Sequence, residues 1–216
     1  MLDFLLERIP NVVVLWLSLS VHEWAHARAA FALGDDTARA QGRMTLDPLA
    51  HADPVGTVLF PLLGVPFGWA LPVPIDPSRF DRRRSMAFGM MVTAAAGPLS
   101  NVVLAGAGFT AWLALSVVFP SFEQGPLGGL ARYAIQLNVL LAVFNLLPIP
   151  PLDGSRIVNF VLPRAAQMAW GQLESFGRFL PFVVIVGLRV VGLDPFGPIL
   201  AAMDGWLNAA KLALGG

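Results

Sequence analysis

The apolar run from about Ile9 to Leu33 carries His22, Glu23, His26 and Arg28 in its second half. A helix of about 20 residues crosses the hydrocarbon layer of a bilayer, so the run is long enough to span. Ionisable groups at that depth are costly unless they are paired, face a cavity or hold a metal. The wider composition agrees with a membrane setting: 56% of residues are hydrophobic, 13% are charged and the mean hydropathy is +0.68. Soluble domains carry about a quarter charged residues. The run has neither a short basic leader segment nor a small-residue cleavage site, so it reads as a permanent helix and not a removable signal. Lys+Arg and Asp+Glu balance at 14 each, which leaves no basic field for nucleic acid. The chain has no cysteine, so disulfides, a thiol nucleophile and thiolate metal sites are excluded. Any metal site must be built from His, Asp or Glu.

The remaining chain predicts an all-α polytopic membrane protein. It has about four transmembrane helices, a Pro-rich re-entrant segment and a C-terminal amphipathic helix, in one membrane-embedded domain covering 1–216. A polar loop from Gly34 to Pro54 follows the first span. Val55 to Pro74 is apolar but holds Pro61, Pro66, Pro72 and Pro74, each of which removes a backbone donor and disfavours helix in the residue before it. This composition predicts re-entry and not a crossing. Met86 to Phe119 exceeds one bilayer thickness and is either one tilted helix or a helix bent near Gly97-Pro98. Leu130 to Leu147 is the third span, about Phe176 to Leu193 the fourth, and Pro198 to Leu214 the amphipathic or partly inserted helix. Arg39, Arg43, Arg79, Arg82, Arg83, Arg84, Arg156 and Arg164 fall on one side of this arrangement, while the loop Ser121 to Gly129 has no arginine. The positive-inside rule puts the arginine-rich side in the cytoplasm.

His22-Glu23-Trp24-Ala25-His26 is an HExxH sequence. The i, i+4 spacing puts both imidazoles on one helical face, where two nitrogens can bind one zinc with Glu23 beside the metal-bound water. Catalytic zinc usually has three protein ligands and one open position. The third ligand is Asp153, after the helix-stopping Pro148-Ile149-Pro150-Pro151-Leu152, or His51, and spacing does not choose between them. Asp153 also suits an N-cap for the segment starting near Ser155-Arg156.

HEWAH, AAAGPLSN at Ala94 to Asn101 and FNLLPIPPLDGSR at Phe144 to Arg156 together resemble the site-2 protease family of intramembrane zinc metalloproteases. RMTLDPLAHADPVGT at Arg43 to Thr57 and FGWALPVPIDPSRF at Phe67 to Phe80 are similar to its compact bacterial members, which lack PDZ and CBS domains. The resemblance runs from about Ser18 to Arg164. It implies one zinc ion held by His22, His26 and Asp153, with Glu23 as general base and His51 close to the site, helping substrate or water. Asp47 stands before Pro48 where Asn is more usual, and Ser155 follows Asp153-Gly154 where a second Gly is common.

Asn145 and Asn101 are polar at membrane depth and are expected to hold the substrate backbone or the developing oxyanion. The alternative for both is interhelical packing. Gly97, Asn101 and Ala105 form an i, i+4 stripe read as packing. The expected activity is hydrolysis of a peptide bond within or beside the transmembrane segment of a membrane-protein substrate, as in regulated intramembrane proteolysis. The expected location is the plasma membrane, multi-pass, with the site facing the cytoplasm. Val55 to Pro74 and Leu147 to Leu152 are expected to host the unwound substrate strand. The alternatives are an inactive protease-derived binder of single-span proteins, a metal carrier, which predicts ionisable residues on several spans, and a rhomboid-type serine protease.

Overall fold

A computed structural model of the chain describes residues 7–64, 68–163, 166–167, 170–171, 177 and 180–213. Among these residues the regular structure is helical and no strand occurs. The chain divides into two compact units, Met1–Asn101 and Val102–Gly216.

In the first unit, α1 covers Ile9–Ala32 and has a proline in its opening turn, where a missing N–H costs nothing. Its C-terminus closes with the N–H of Gly34 on Phe31 O (3.1 Å) and that of Asp35 on Ala30 O (3.0 Å). This paired closure needs a left-handed residue, and Gly34 supplies it with φ at 106°. A side chain at Gly34 would also press on the backbone of Arg79 and Asp81, which crosses the helix end here. Asp35 is buried and pins that crossing: Oδ1 accepts from Thr37 N and Oγ1, and Oδ2 from Asp76 N. The short helix α2 (Thr37–Ala40) follows.

The Pro-rich stretch does not form a spanning helix. A 3-10 turn at Pro48–His51 is capped by Asp47, whose Oδ1 accepts from Leu49 N at 3.0 Å, so Asp serves where Asn is more usual. A π-helical turn at Pro54–Leu59 is capped by Asp53. It leads into α3 (Phe60–Leu62). From Gly68 to Asp76 the chain has no helical hydrogen bonding. Trp69 N donates to Gly56 O, Leu71 N to His51 O and Val73 N to the Glu23 side chain, so this segment lies along the loop and α1. Arg43 clamps it by donating to Leu71 O at 2.7 Å and Pro72 O at 3.3 Å. Pro66 and Phe67, counted above with this segment, lie outside the described residues.

The helix α4, Met86–Val118, is continuous through Pro98, which selects the single helix over a break. Its 33 residues rise about 50 Å, well beyond the hydrocarbon thickness. Leu99, Val102, Val103 and Val118 stand exposed along it, as lipid-facing side chains do.

In the second unit, α5 is Pro126–Leu146, α6 Asp153–Val161, α7 Leu180–Val190 and α8 Gly197–Ala213. Helices α4 and α5 are the two that are long and apolar enough to cross a membrane among the described residues. The predicted fourth span begins outside the described residues, as does Arg164, and α7 is its described part. Trp112, Ile135 and Leu207 form the buried core of this unit, with Phe109, Leu113, Phe122, Ala131 and Met203 against it. The helix expected over Pro198 to Leu214 is α8. Its polar side chains pair with protein: Asp204 accepts from Gln136 at 2.9 Å, Asn208 from Arg132 at 2.8 Å, and Lys211 donates to Glu123. Trp206 and Leu212 face outward at 80% and 72% exposure. Leu207, with Met203 beside it, faces the core, so α8 packs an apolar side inward, pairs polar groups along its flank and leaves Trp206 and Leu212 outside.

Candidate metal centre

The HExxH residues lie on α1, and all three are buried. His26 Nδ1 is 2.7 Å from Thr93 O, and a carbonyl can only accept, so Nδ1 carries the proton. His22 Nδ1 is 2.6 Å from Asn101 Oδ1 and donates to it in the same way. With acceptors facing both Nδ1 atoms, Nε2 is the atom of each ring that is placed to offer a lone pair. These two Nε2 atoms are 3.0 Å apart, with ring centroids 4.6 Å apart and planes at 87°. Two nitrogens bound to one tetrahedral zinc at about 2.0–2.1 Å stand about 3.3 Å from each other, so the donor pair fits that ion. Glu23 is 8% exposed, and its Oε2 accepts from Val73 N at 2.9 Å.

Gly97 and Asn101 lie on the face of α4 that meets these rings. A Cβ at Gly97 would stand 2.5 Å from Cε1 of His26 and 2.6 Å from Cε1 of His22, closer than carbon atoms approach. The stripe read as packing is therefore a clearance and hydrogen-bonding face for the two histidines. Its register includes Thr93 in place of Ala105. Asn101 is fully buried, and its Oδ1 lies 2.6 Å from His22 Nδ1. Neither the Asn101 contact nor the Val73 contact has a signal in the sequence that names its partner.

A Gly97→Ala substitution is expected to reduce stability and metal retention, although alanine in place of a helical glycine normally adds about 0.5–1 kcal/mol. Gly106, on the same helix, has nothing within 4 Å of the position that a methyl group would take, and it supplies the control. Thermal unfolding of the two alanine variants in detergent should move in opposite directions.

His51 is fully buried. Its Nε2 donates to Thr45 O at 2.9 Å and its Nδ1 has no hydrogen-bond partner. It belongs to the first unit, held by the loop it helps to shape. Asp153 and Asn145 belong to the second. Asp153 is the first residue of α6, behind the N-cap Leu152, which makes no side-chain cap, so the N-cap alternative does not hold. Gly154 is required there: a Cβ would fall on the backbone of Leu146 and Leu147. Ser155 is buried and donates to Leu152 O at 2.7 Å, so it closes the turn where a second Gly is common. Asn145 is half-buried and donates through Nδ2 to Leu141 O on its own helix at 2.9 Å. The segment Leu147 to Leu152 is wound into turns, with the N–H groups of Leu147, Ile149 and Leu152 bonded within it and prolines between them. A substrate strand added here would be met by carbonyl groups and not by N–H groups.

Converging imidazole nitrogens beside a buried glutamate, on one helix of an apolar helical protein, are the arrangement of a membrane metallohydrolase. Comparison with known proteins makes the class specific. Residues 120–188 match Peptidase family M50. YwhC of Bacillus subtilis is 42% identical over 178 residues, covering 81% of this chain and 78% of its own length. Rip2 of Mycolicibacterium smegmatis is 30% identical over 180 residues, covering 81% and 66%. Rip2 of Mycobacterium tuberculosis H37Rv is 30% identical over 197 residues, covering 90% and 69%. All three carry zinc metalloprotease names. No solved structure matches the chain. The chain belongs to peptidase family M50, the site-2 protease family of zinc metalloproteases.

Proposed function

We propose that this protein hydrolyses a peptide bond within or beside the transmembrane segment of a membrane-protein substrate, using one zinc ion held by His22, His26 and Asp153. The observation that carries the reading is the pair of buried imidazoles whose Nδ1 atoms face Asn101 Oδ1 and Thr93 O and whose Nε2 atoms stand 3.0 Å apart, on the helix that also buries Glu23. A bound zinc ion supplies Lewis-acid polarisation of the scissile carbonyl and acidifies water. Glu23 takes the proton from the attacking water and returns it to the leaving amine. Asn145 orients the substrate carbonyl, and His51 holds the loop that carries the Val73 segment. The reading includes one membrane-embedded domain with about four spans in the plasma membrane, and the arginine distribution supports a centre that faces the cytoplasm.

A helical substrate hides its peptide bonds, so it must unwind before attack. The segment Gly68 to Asp76 suits the role of host. Its N–H groups at Trp69, Leu71 and Val73 are used on the side facing the protein, and Pro72 and Pro74 leave the other edge to accept from substrate N–H groups. An inactive binder has no need of a buried glutamate beside two oriented imidazoles, and the family assignment favours the enzyme.

The test is reconstitution of the purified protein in liposomes with single-span reporters. One reporter carries a Gly-Pro pair within its helix and the other an unbroken leucine helix. Mass spectrometry of the products is expected to find cuts inside or next to the broken helix, abolished by chelator and restored by zinc. Cleavage confined to soluble polypeptides would overturn the intramembrane reading.

A further inference from the structure

We infer that Asn101 is a positioning residue for the metal centre, fixing the tautomer and ring orientation of His22 from the same helical face on which Thr93 O fixes His26. The inference rests on the proposed metal site and deepens it. Each imidazole must present Nε2 as a lone pair, and a neutral imidazole does so only when its proton resides on Nδ1. In water both tautomers are accessible. In this interior, the tautomer follows whatever faces Nδ1.

For His26 the partner is a backbone carbonyl, which no substitution can remove. For His22 it is a side chain, Asn101 Oδ1 at 2.6 Å, with the asparagine fully buried. The two contacts are 8 residues apart on α4 but only 4 apart on α1. The reach of the asparagine side chain makes up part of that difference. Gly97, halfway between them, lets α4 approach closely enough for both bonds to form. The three positions thus work as one face: an acceptor for each ring, with a gap between for the rings themselves. Outer partners of this kind raise ligand basicity and hold ring orientation, and their loss typically lowers metal affinity about 10- to 100-fold.

The substitutions that separate positioning from bulk packing are Asn101→Leu, which keeps the branched shape and removes the acceptor, and Asn101→Asp, which keeps an acceptor at the same place. Zinc affinity of the full chain in detergent, measured by chelator competition, is expected to fall about 10- to 100-fold in Asn101→Leu and to recover in Asn101→Asp. The cobalt-substituted form of Asn101→Leu is expected to show an altered visible d–d spectrum. Equal zinc affinity and an unchanged cobalt spectrum in Asn101→Leu would overturn the inference while leaving the metal site intact. If wild type itself binds no zinc, the metal reading fails instead. A direct readout covers the case in which Asn101→Leu does not fold: in wild-type protein labelled with nitrogen-15 at histidine, two-bond proton–nitrogen correlations report the tautomer of each ring. Protonation of His22 at Nδ1 is the expected result, and protonation at Nε2 would refute the assignment.

Discussion

Glu23→Gln is expected to lower peptide-bond hydrolysis by about 100- to 10,000-fold, the usual contribution of a positioned general base, without loss of zinc. The substitution keeps the shape of the side chain. The contact from Val73 N at 2.9 Å can be made to the amide oxygen of glutamine, so the extended segment stays in place. What is lost is the capacity to hold a proton between its removal from water and its delivery to the leaving amine. Because Val73 lies between Pro72 and Pro74, its N–H is the one backbone donor that this tripeptide has, and the carboxylate takes it through Oε2. Oε1 is then the oxygen left for the transferred proton. The prediction is a fall in kcat with KM and metal content unchanged, measured on the broken-helix reporter with zinc counted in the same preparation. Cleavage at the wild-type rate would move the base to another residue and remove the role given to Glu23.

Local features of the sequence carried much of this architecture. The HEWAH helix was readable because a long, mostly apolar run and an i, i+4 histidine pair require no knowledge of the remaining chain, although α1 is not among the helices apolar enough to cross a membrane. The irregular course from Gly68 to Asp76 was readable from proline, since a missing N–H acts wherever the residue sits. The continuity of α4 through Pro98 was not, because neighbouring structure decides whether a helix absorbs a lost bond or breaks at it. Contacts between distant positions were hidden for a related reason. Val73 reaches Glu23 across 50 residues and Asn101 reaches His22 across 79, and nothing at either end announces its partner. For α8 the periodicity shows that a polar face exists. Whether water or Gln136, Arg132 and Glu123 would satisfy it depends on what packs there, which the periodicity does not contain.

Removing any one proposed ligand, His22→Ala, His26→Ala or Asp153→Ala, is expected to abolish stoichiometric zinc, whereas His51→Ala keeps it. The choice between Asp153 and His51 turns on charge. Two neutral imidazoles leave both charges of the ion uncompensated, and a third imidazole would leave them so in an apolar interior where an unbalanced charge is very costly. A carboxylate cancels one of them, and a His, His, carboxylate set with one open position is an established donor set for catalytic zinc. His51 is also tied down by its Nε2 bond to Thr45 O and its carbonyl bond from Leu71 N, so its substitution acts on the loop and not on the ion. Asp153 has the opposite setting. It opens α6 after a proline-rich turn without capping the helix, and Gly154 brings the start of α6 against the end of α5. Metal analysis of the four alanine variants in detergent, after equilibration with zinc and removal of excess, gives the answer without any substrate. Zinc retained by Asp153→Ala and lost from His51→Ala would exchange their roles. Zinc retained by both would place the third donor elsewhere.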